Sequence, residues 1–331
     1  MEPLATNAAD YPLVVIVGPT ASGKSALGIE VALRFGGEIV NCDSVQVYRG
    51  FDIGAGKVAP ESRQGVPHHL LDIVEPDEVF TAGDFRREAS RALDSVRERG
   101  RLPILVGGTG LYLRALLLGL FDGPRRSEEL RARLKSLTAR HGGERLHRLL
   151  WRLDPTAAGR IHARDTQKTI RAVEVCLVAR RPMSAMLGNG RTGLPGFRFH
   201  KIGLDPDRAA LCDRINRRVE FMVESGWLEE VRALAVRPDA SKLKPLGALG
   251  YRQLAAALRG EISLDEAVRA TQAVTRQYAK RQMTWFRREP GIMWFAGFGD
   301  DPEIQGRALE WLRAGGPAAG NSAGEKAVLV G

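Results

Sequence analysis

Cysteine is scarce in this chain of 331 residues, which contains only Cys42, Cys176 and Cys212, far apart in the sequence. An odd number of widely spaced cysteines excludes a disulfide framework and a cysteine-based zinc site. Long apolar runs are also missing, since none approaches the roughly 20 residues that a membrane-spanning helix needs. The first residues lack the pattern of an export signal. We therefore expect a protein of the reducing cytoplasm that does not bind membranes.

The remaining composition is that of a folded protein, with 44% hydrophobic and 27% charged residues. This balance excludes a disordered chain and supplies enough apolar material for a buried core. At roughly 150 residues per domain, the length allows two domains.

Positive charge is concentrated in the middle of the chain. The net charge is +10, from 49 basic and 39 acidic residues. Residues 1–120 contain 12 basic and 15 acidic residues, residues 121–206 contain 18 and 8, and residues 207–331 contain 19 and 16. The excess in the middle segment therefore equals that of the whole chain, and it indicates an anionic partner for this segment.

Alternating strand and helix patterns predict an α/β fold. Strand-like segments lie at residues 13–17, 38–41, 70–74, 102–106 and 197–204. Helical patterns lie at residues 25–33, 81–99, 207–224, 227–236, 250–259 and 263–288. Buried strands that alternate with helices form parallel sheets flanked by helices.

The segment between residues 121 and 196 has helical stretches and no convincing strand. We therefore predict a core of residues 13–120 and 197–313, interrupted by a basic, all-helical insertion at 121–196. Residues 1–12 are predicted to be a flexible arm, and the Gly- and Ala-rich residues 314–331 a disordered tail.

A phosphate-binding loop (P-loop) follows the first strand, and it matches the pattern G-x-x-x-x-G-K-[ST] without mismatch. It consists of Gly18, Pro19, Thr20, Ala21, Ser22, Gly23, Lys24 and Ser25. Its glycines let backbone N–H groups point at phosphate oxygens, and the following helix adds its positive N-terminal end. Lys24 supplies a full charge, and the Ser25 hydroxyl can bind Mg²⁺.

This loop does not identify the reaction. Enzymes that hydrolyse ATP or transfer its γ-phosphoryl group need an acidic residue at the end of a neighbouring strand to hold Mg²⁺. Here the strand at 102–106 is followed by Gly107, Gly108 and Thr109, with no carboxylate. The missing carboxylate argues against an ordinary nucleotide hydrolase.

Seven sequence blocks, in matching order and spacing, resemble a known family. They are GPTASGKS at 18–25, DSVQVY at 43–48, PHHLLD at 67–72, GGTGLY at 107–112, RDTQKTIR at 164–171, GYRQ at 250–253 and TRQYAKRQMTWF at 275–286. Together they closely resemble the bacterial tRNA dimethylallyltransferases, also called tRNA isopentenyltransferases. The resemblance covers roughly residues 13–295.

The resemblance implies transfer of a dimethylallyl group from dimethylallyl diphosphate to N6 of the adenosine just 3′ of the tRNA anticodon. The P-loop would then hold the diphosphate leaving group with Mg²⁺, which accounts for the missing carboxylate. It also implies a monomer with a P-loop NTPase-like core, in which Asp43 is the general base and Thr109 lies near the reacting amine or the diphosphate. Arg218 is expected to hold the diphosphate together with Lys24, although Arg214 and Arg217 remain alternatives.

The same resemblance implies a set of tRNA contacts. They are Asp43, Ser44, Val45, Gln46, Thr109, Arg131, Gln167, Lys168, Thr169, Ile170, Arg171, Ala248, Leu249, Gly250, Tyr251 and Arg252. The segment Leu246–Leu249 lacks an arginine that the family often carries there, so that contact is not expected.

Other residues have simpler interpretations. Adjacent histidines His68 and His69 point in different directions on a strand or loop, so we expect structural or substrate-shaping roles for them. Trp285 and Phe286, near the end of a predicted helix, are expected to pack in the core.

The sequence alone leaves two further functional classes open. One is a P-loop kinase of small molecules or an enzyme that prenylates free adenine nucleotides, and the other is a non-catalytic RNA-binding ATPase. The basic insertion favours a tRNA substrate, because a free nucleotide has little need for it.

Overall fold

The structure is a computed structural model that describes residues 10–121, 123–124, 126–186 and 193–316. The described chain forms two compact units, a core unit before residue 118 and after residue 193, and an insertion at 118–193. Most of the predicted arm and tail, residues 1–9 and 317–331, lies outside the described residues. The prediction of a flexible arm was wrong for Tyr11 and Pro12, because both belong to the first strand.

One parallel sheet of six strands, flanked by helices, forms the centre of the core unit, which confirms the predicted fold class. The strands are β1 (Tyr11–Val17), β2 (Gly37–Cys42), β3 (His68–His69), β4 (Leu102–Gly107), β5 (Phe197–Leu204) and β6 (Ile292–Phe295). Their order in the sheet is β3-β2-β4-β1-β5-β6, and all pairs are parallel. Strand β1 lies between β4 and β5, which explains its continuous apolar sequence.

The prediction of a strand at residues 70–74 was wrong. The sheet instead pairs His68 and His69 with β2, and the chain then turns away from it. Leu70 and Asp72 have left-handed backbone conformations, with φ of 63° and 56°, which a strand cannot accommodate. Only an isolated bridge between Tyr48 and Val74 remains of the expected pairing.

Thirteen helices lie in the described parts of the chain. Before the insertion are α1 (Lys24–Phe35), α2 (Ala82–Glu98) and α3 (Gly110–Leu117). The insertion contains α4 (Glu128–His141), α5 (Gly143–Leu153), α6 (Pro155–Arg160), α7 (Thr166–Ala179) and α8 (Met183–Met186). After it come α9 (Arg208–Glu224), α10 (Trp227–Ala235), α11 (Tyr251–Leu258), α12 (Leu264–Phe286) and α13 (Pro302–Arg313). None of these helices is both long and apolar enough to cross a membrane.

Alternate residues of the central strands serve two separate cores. Val14 and Ile16 of β1 pack with α1 and α13 on one side of the sheet. Leu13 and Val15 pack with α2 and α3 on the other, together with Phe286 at the end of α12. The expectation that Phe286 belongs to the core is thereby confirmed. A third apolar cluster joins the loop after β2 to α9, α10 and α11.

The insertion has its own apolar core, which includes Leu146 and Leu150 of α5 and Ile170 of α7. Beside it lies Glu174, whose side chain is fully buried. The Glu174 carboxylate accepts hydrogen bonds from Arg131 at 3.0 Å and from Arg171 at 2.8 Å. Burial alone would raise the pKa of Glu174, but these two guanidinium groups outweigh it and lower the pKa.

Removal of the Glu174 carboxylate should destabilise the insertion, because two arginines would lose their shared partner. We expect Glu174→Ala to lower the local free energy of unfolding by about 3 kcal/mol, which is the lower end of the range for a broken buried ion pair. Hydrogen–deuterium exchange of α7 measures this. Because the pKa is depressed, the contribution is present above the ordinary value of 4.5 and lost as the pH falls below it.

Glu129→Ala is the matched control, since Glu129 pairs with Arg133 on the exposed surface of α4. That substitution should cost less than about 1 kcal/mol. Equal exchange of α7 in the two variants would contradict a structural role for the Glu174 cluster.

Candidate active site

The P-loop connects β1 to α1, the context that its sequence predicted. Two glycines of the loop are required, because a side chain would collide with neighbouring atoms and because the backbone conformation favours glycine. A Cβ at Gly18 would lie 2.9 Å from Ser22 Oγ, and one at Gly23 would lie 2.6 Å from Asp300 Oδ1. Gly23 also has a φ of 83°, in the left-handed region. The loop therefore curls tightly at the positive end of α1, where an anion is favoured.

Lys24 is folded back over this loop. Its Nζ donates a hydrogen bond to Pro19 O at 2.6 Å. Burial of the ammonium group and the nearby Arg218 lower the pKa of Lys24 to about 7, while Asp43 opposes this shift. An anion bound here would restore full protonation of Lys24, because a negative charge favours the ammonium form.

Asp43 directly follows β2, at the carboxyl edge of the sheet. Its Oδ1 accepts hydrogen bonds from the N–H groups of Val45 at 2.8 Å and Gln46 at 3.3 Å. These bonds fix the carboxylate in a tight turn. Its Oδ2 has no hydrogen-bond partner among the residues the structure describes, so this oxygen can accept a proton from a bound ligand.

Thr109 follows β4, the neighbour of β2 in the sheet. Its N–H donates to Cys42 O at 3.2 Å, and its Oγ1 accepts from the N–H of Ser44 at 3.1 Å. Gly107 permits this approach, because a Cβ there would lie 2.1 Å from Cys42 O. The structure therefore brings Thr109 and Asp43 together, as expected from the sequence.

Two residues of α12 complete the site, and no role was predicted for either. Gln282 Oε1 accepts from the N–H of Thr20 at 2.8 Å, and Gln282 Nε2 donates to Gly108 O at 2.9 Å. Tyr278 faces Thr109, and burial raises the pKa of its phenol to about 12. Both residues lie in the family-like sequence block at 275–286, so the sequence marked this segment. It did not show which residues Tyr278 and Gln282 would contact.

The arginine of the site is Arg218. Its guanidinium group lies close to Gly56 and lines the same cavity as Lys24 and Asp43. Arg214 instead forms a bidentate ion pair with Asp300, with distances of 2.8 and 2.7 Å. Arg217 is exposed and lines neither of the two cavities described below. This arrangement favours Arg218 over the two alternatives left open by the sequence.

Two cavities meet at Asp43. The first, here called the phosphate cavity, lies between the P-loop, the ends of β2 and β4, and Gln282. The second, here called the apolar cavity, is lined by Ile215, Val219, Met222, Trp227 and Tyr251 among others. Both cavities are lined by Thr20, Ala21, Asp43, Ala55, Arg218 and Tyr278. An anion in the first cavity and a flat or aliphatic group in the second would therefore touch at Asp43.

The two histidines have different partners. His68 lines the phosphate cavity, and its Nδ1 lies 2.9 Å from Val66 O. Burial lowers the pKa of His68, which favours the neutral form of its ring. His69 Nε2 lies 2.7 Å from a carboxylate oxygen of Glu38 outside this cavity. No group of three or more His, Cys, Asp or Glu side chains able to hold a metal ion occurs in the described chain.

Mg²⁺ can be accommodated at the P-loop only with ligands from a bound anion. The Ser25 hydroxyl and the Asp43 carboxylate both line the phosphate cavity. These two side chains do not fill the octahedral coordination that Mg²⁺ prefers, and diphosphate oxygens and water would have to supply the rest.

The predicted RNA contacts near the site divide into two groups. Ser44, Val45, Ala248 and Leu249 line the apolar cavity, and Arg252 is exposed. Gln46 lines the phosphate cavity, where its Nε2 is bound to the backbone oxygens of Ala55 and Gly56.

Tyr251 and Gly250 are buried. The Tyr251 hydroxyl donates to Glu230 Oε1 at 2.6 Å, and the Gly250 N–H donates to Gln253 Oε1. The Tyr251 ring is fully buried and packs in the wall of the apolar cavity, so it could meet RNA only through a base that enters this cavity.

The predicted contacts in the insertion divide in the same way. Gln167 and Lys168 are exposed, but Thr169 and Ile170 are each only 1% exposed. The latter two side chains pack inside the insertion instead of facing a ligand. Arg131 and Arg171 bind Glu174, as described above, so much of their charge is already neutralised.

Trp285 packs at the base of α3, where the Arg114 guanidinium group lies 4.6 Å from its ring centroid. This agrees with the expected packing role. Gly110 makes the contact possible, because a Cβ there would lie 2.3 Å from the indole ring.

Comparisons with known proteins identify the family of this chain. The family model described as IPP transferase matches residues 46–289. The chain is 54% identical to the tRNA dimethylallyltransferase of Koribacter versatilis, over 92% of this chain and 99% of the relative. It is 51% identical to the tRNA dimethylallyltransferase of Solibacter usitatus, over 90% of this chain and 97% of the relative.

Solved structures give the same result. The full-length tRNA isopentenylpyrophosphate transferase of Bacillus halodurans is 38% identical, with a TM-score of 0.69 over 93% of this chain and 97% of that protein. A eukaryotic dimethylallyltransferase acting on tRNA is 25% identical, with a TM-score of 0.76 over 94% of this chain and 81% of that protein. The family model matches most of the chain, and the relatives and solved structures cover at least nine-tenths of it. The chain therefore belongs to the IPP transferase family.

Proposed function

We propose that this protein transfers a dimethylallyl group from dimethylallyl diphosphate to N6 of the adenosine 3′-adjacent to the anticodon in tRNA, with release of diphosphate. The observation that carries the proposal is the position of Asp43 where the phosphate cavity meets the apolar cavity. A prenyl diphosphate and a flipped-out adenine need such a junction, because a phosphate site alone would serve any nucleotide enzyme.

The phosphate cavity is suited to a diphosphate leaving group. Negative charge develops on the bridging oxygen as the bond from C1 of the dimethylallyl group to that oxygen breaks. Residues of the P-loop, including Lys24, line this cavity together with Arg218, and their N–H groups and positive charges would stabilise this charge. When bound, Mg²⁺ would neutralise further charge on the diphosphate, and Ser25 would help to hold it.

Asp43 accounts for the fate of the proton. The adenine N6 amine attacks C1, the diphosphate leaves with the electron pair of the C1–O bond, and N6 must lose one proton. The Oδ2 atom of Asp43 is positioned to accept this proton, while Oδ1 remains bound to the N–H groups of Val45 and Gln46. Tyr278 lines the same junction and limits the positions open to the amine, while Thr109 holds the backbone N–H of Ser44 next to Asp43.

Exposed arginines on α5 support an RNA substrate. Arg145, Arg148 and Arg152 are exposed and share one face of the helix, opposite the buried Leu146 and Leu150. These three arginines form no ion pair with any described residue. They offer phosphates a better surface than Arg131 and Arg171, whose charges are neutralised by Glu174.

We further propose that the protein acts as a monomer in the cytoplasm. All three cysteines are free in the structure, and two of them are buried, which is compatible with a reducing compartment.

The direct test mixes the protein with unmodified tRNA, Mg²⁺ and labelled dimethylallyl diphosphate. Label should enter the RNA with one diphosphate released per transfer. Parallel reactions with AMP as acceptor, and with labelled ATP in place of the prenyl donor, address the other classes. Label in AMP but not in tRNA would favour a free-nucleotide enzyme, and ADP formation without prenyl transfer would favour a kinase or an ATPase.

Asp43→Asn should abolish proton acceptance without disturbing the loop, because an amide oxygen can keep both backbone hydrogen bonds. We expect single-turnover prenyl transfer to fall at least about 100-fold, the usual scale of general-base catalysis, with tRNA affinity changed only a few-fold. Gel-based transfer assays and fluorescence anisotropy measure the two quantities. Unchanged transfer would remove Asp43 as the base.

Lys24 should make binding of dimethylallyl diphosphate depend on pH. The free protein holds Lys24 with a pKa of about 7, and the bound diphosphate raises it, so binding takes up a proton above pH 7. Affinity should therefore fall as the pH rises from 7 to 9. Calorimetry in buffers of different ionisation enthalpy measures the uptake.

Lys24→Arg is the control for this effect, because a guanidinium group stays protonated throughout this range. The variant should lose the proton uptake above pH 7. If it kept the same uptake as the wild type, Lys24 would not be the titrating group.

Arg148→Glu should weaken tRNA binding and reduce its salt dependence, since one phosphate contact contributes about one unit to the slope of log K against log salt. Arg101→Glu is the matched control. Arg101 is exposed and precedes β4 at the opposite edge of the sheet from the P-loop. Equal effects of the two substitutions would show that only net charge matters, and that the α5 face is no docking surface.

A further inference from the structure

Helix α9 contributes to two different surfaces. Ile215, Val219 and Met222 line the apolar cavity. On another side of the helix, Arg214, Arg217 and Phe221 line an open groove together with Phe298, here called the α9 groove. Arg218 lies between these two sides and lines the groove as well as both cavities. The groove is therefore continuous with the site at which we propose that the adenosine reacts.

Phe221 is unusual in this groove because its side chain is 66% exposed. Among the large apolar side chains of the described residues, only Val236 is more exposed, at 76%. An exposed phenyl ring gains nothing from the core, which makes it available to a ligand with an apolar face.

The charges around Phe221 indicate what kind of ligand fits. Arg217 is exposed and forms no ion pair with any described residue. Arg214 is held rigidly, because Asp300 binds its guanidinium group, which lies 4.7 Å from the ring centroid of Phe298. Asp213 also lines the groove, and together with Asp300 it leaves the three arginines with an excess of one positive charge. An exposed aromatic ring beside guanidinium groups is the combination that binds unpaired bases and their phosphates.

We propose that the α9 groove binds an unpaired nucleotide of the RNA substrate, next to the adenosine that enters the apolar cavity. Its base stacks on Phe221, and its phosphate pairs with Arg217. The inference rests on the proposed function and deepens it, because it assigns a second nucleotide-binding position. A duplex would not fit this role, since its bases are already stacked on each other.

The experiment compares variants of the full chain for binding of an anticodon stem-loop RNA, measured by fluorescence anisotropy. Phe221→Ala and Phe221→Leu should each weaken binding about ten-fold, the scale of one base–aromatic stack, and Phe221→Trp should retain wild-type affinity. Val236→Ala is the matched control and should bind as the wild type does, because it removes an equally exposed apolar side chain elsewhere. Arg217→Gln should lower the salt slope by about one unit.

Two further readouts separate this proposal from others. Affinity for dimethylallyl diphosphate should stay unchanged in Phe221→Ala, since Phe221 lines neither cavity. Sedimentation should give the same mass for wild type and variant, and a loss of dimers on substitution would instead identify the groove as an interface between copies of this chain.

The α9 groove proposal is overturned if Phe221→Leu binds RNA as well as the wild type, or if Val236→Ala is weakened equally. In either case a wild-type protein that still labels tRNA leaves the proposed function intact. Wild-type protein that binds the stem-loop through Phe221 but transfers no label would instead overturn the proposed function alone.

Discussion

The adjacency of three parallel strands is the constraint on which the site depends. Strands β2, β4 and β1 are neighbours in the sheet, so their carboxyl ends lie side by side. Asp43, Thr109 and the P-loop each follow one of these ends. Thr109 Oγ1 accepts a hydrogen bond from the Ser44 N–H after β2, and Gln282 accepts one from the P-loop and donates one to Gly108. These bonds hold the three strand ends together. Asp43 and the P-loop, which are distant in sequence, are thus brought together at the place where the two cavities meet.

Much of this arrangement could be predicted, because local patterns carried it. Apolar runs identified β1 and β4, and a fixed motif identified the P-loop. The position of Asp43 followed from the rule that parallel strands present their carboxyl ends at one edge. The resemblance supplied the reaction, which no periodicity or composition could have done.

The errors and omissions have physical reasons. Leu70 and Asp72 belong to an apolar stretch, but their left-handed backbone directs the chain away from the sheet, and sequence alone does not reveal such conformations. Strand β6 has only four residues, too few for a clear alternation. Tyr278 and Gln282 act through contacts with residues more than a hundred positions away, which one sequence cannot report.

The position of the basic residues along the chain indicated an anionic partner, whereas the net charge alone did not identify one. Only part of the positive charge of the insertion is available to a ligand, because Arg131 and Arg171 form ion pairs with the buried Glu174. In the proposed function, the exposed arginines of α5 and the α9 groove bind the RNA. The phosphate cavity needs no such surplus of charge there, because backbone dipoles, Lys24 and Arg218 act on a small anion. The proposal therefore separates a compact diphosphate site from a diffuse RNA surface.

This separation is tested most directly by inhibition with inorganic diphosphate. If the phosphate cavity holds only the leaving group and the RNA enters by the apolar cavity, inorganic diphosphate should compete with dimethylallyl diphosphate. It should also leave the affinity for an anticodon stem-loop unchanged within about two-fold, because it occupies none of the RNA surface. Displacement of the RNA by inorganic diphosphate, at concentrations that saturate the phosphate cavity, would contradict the account.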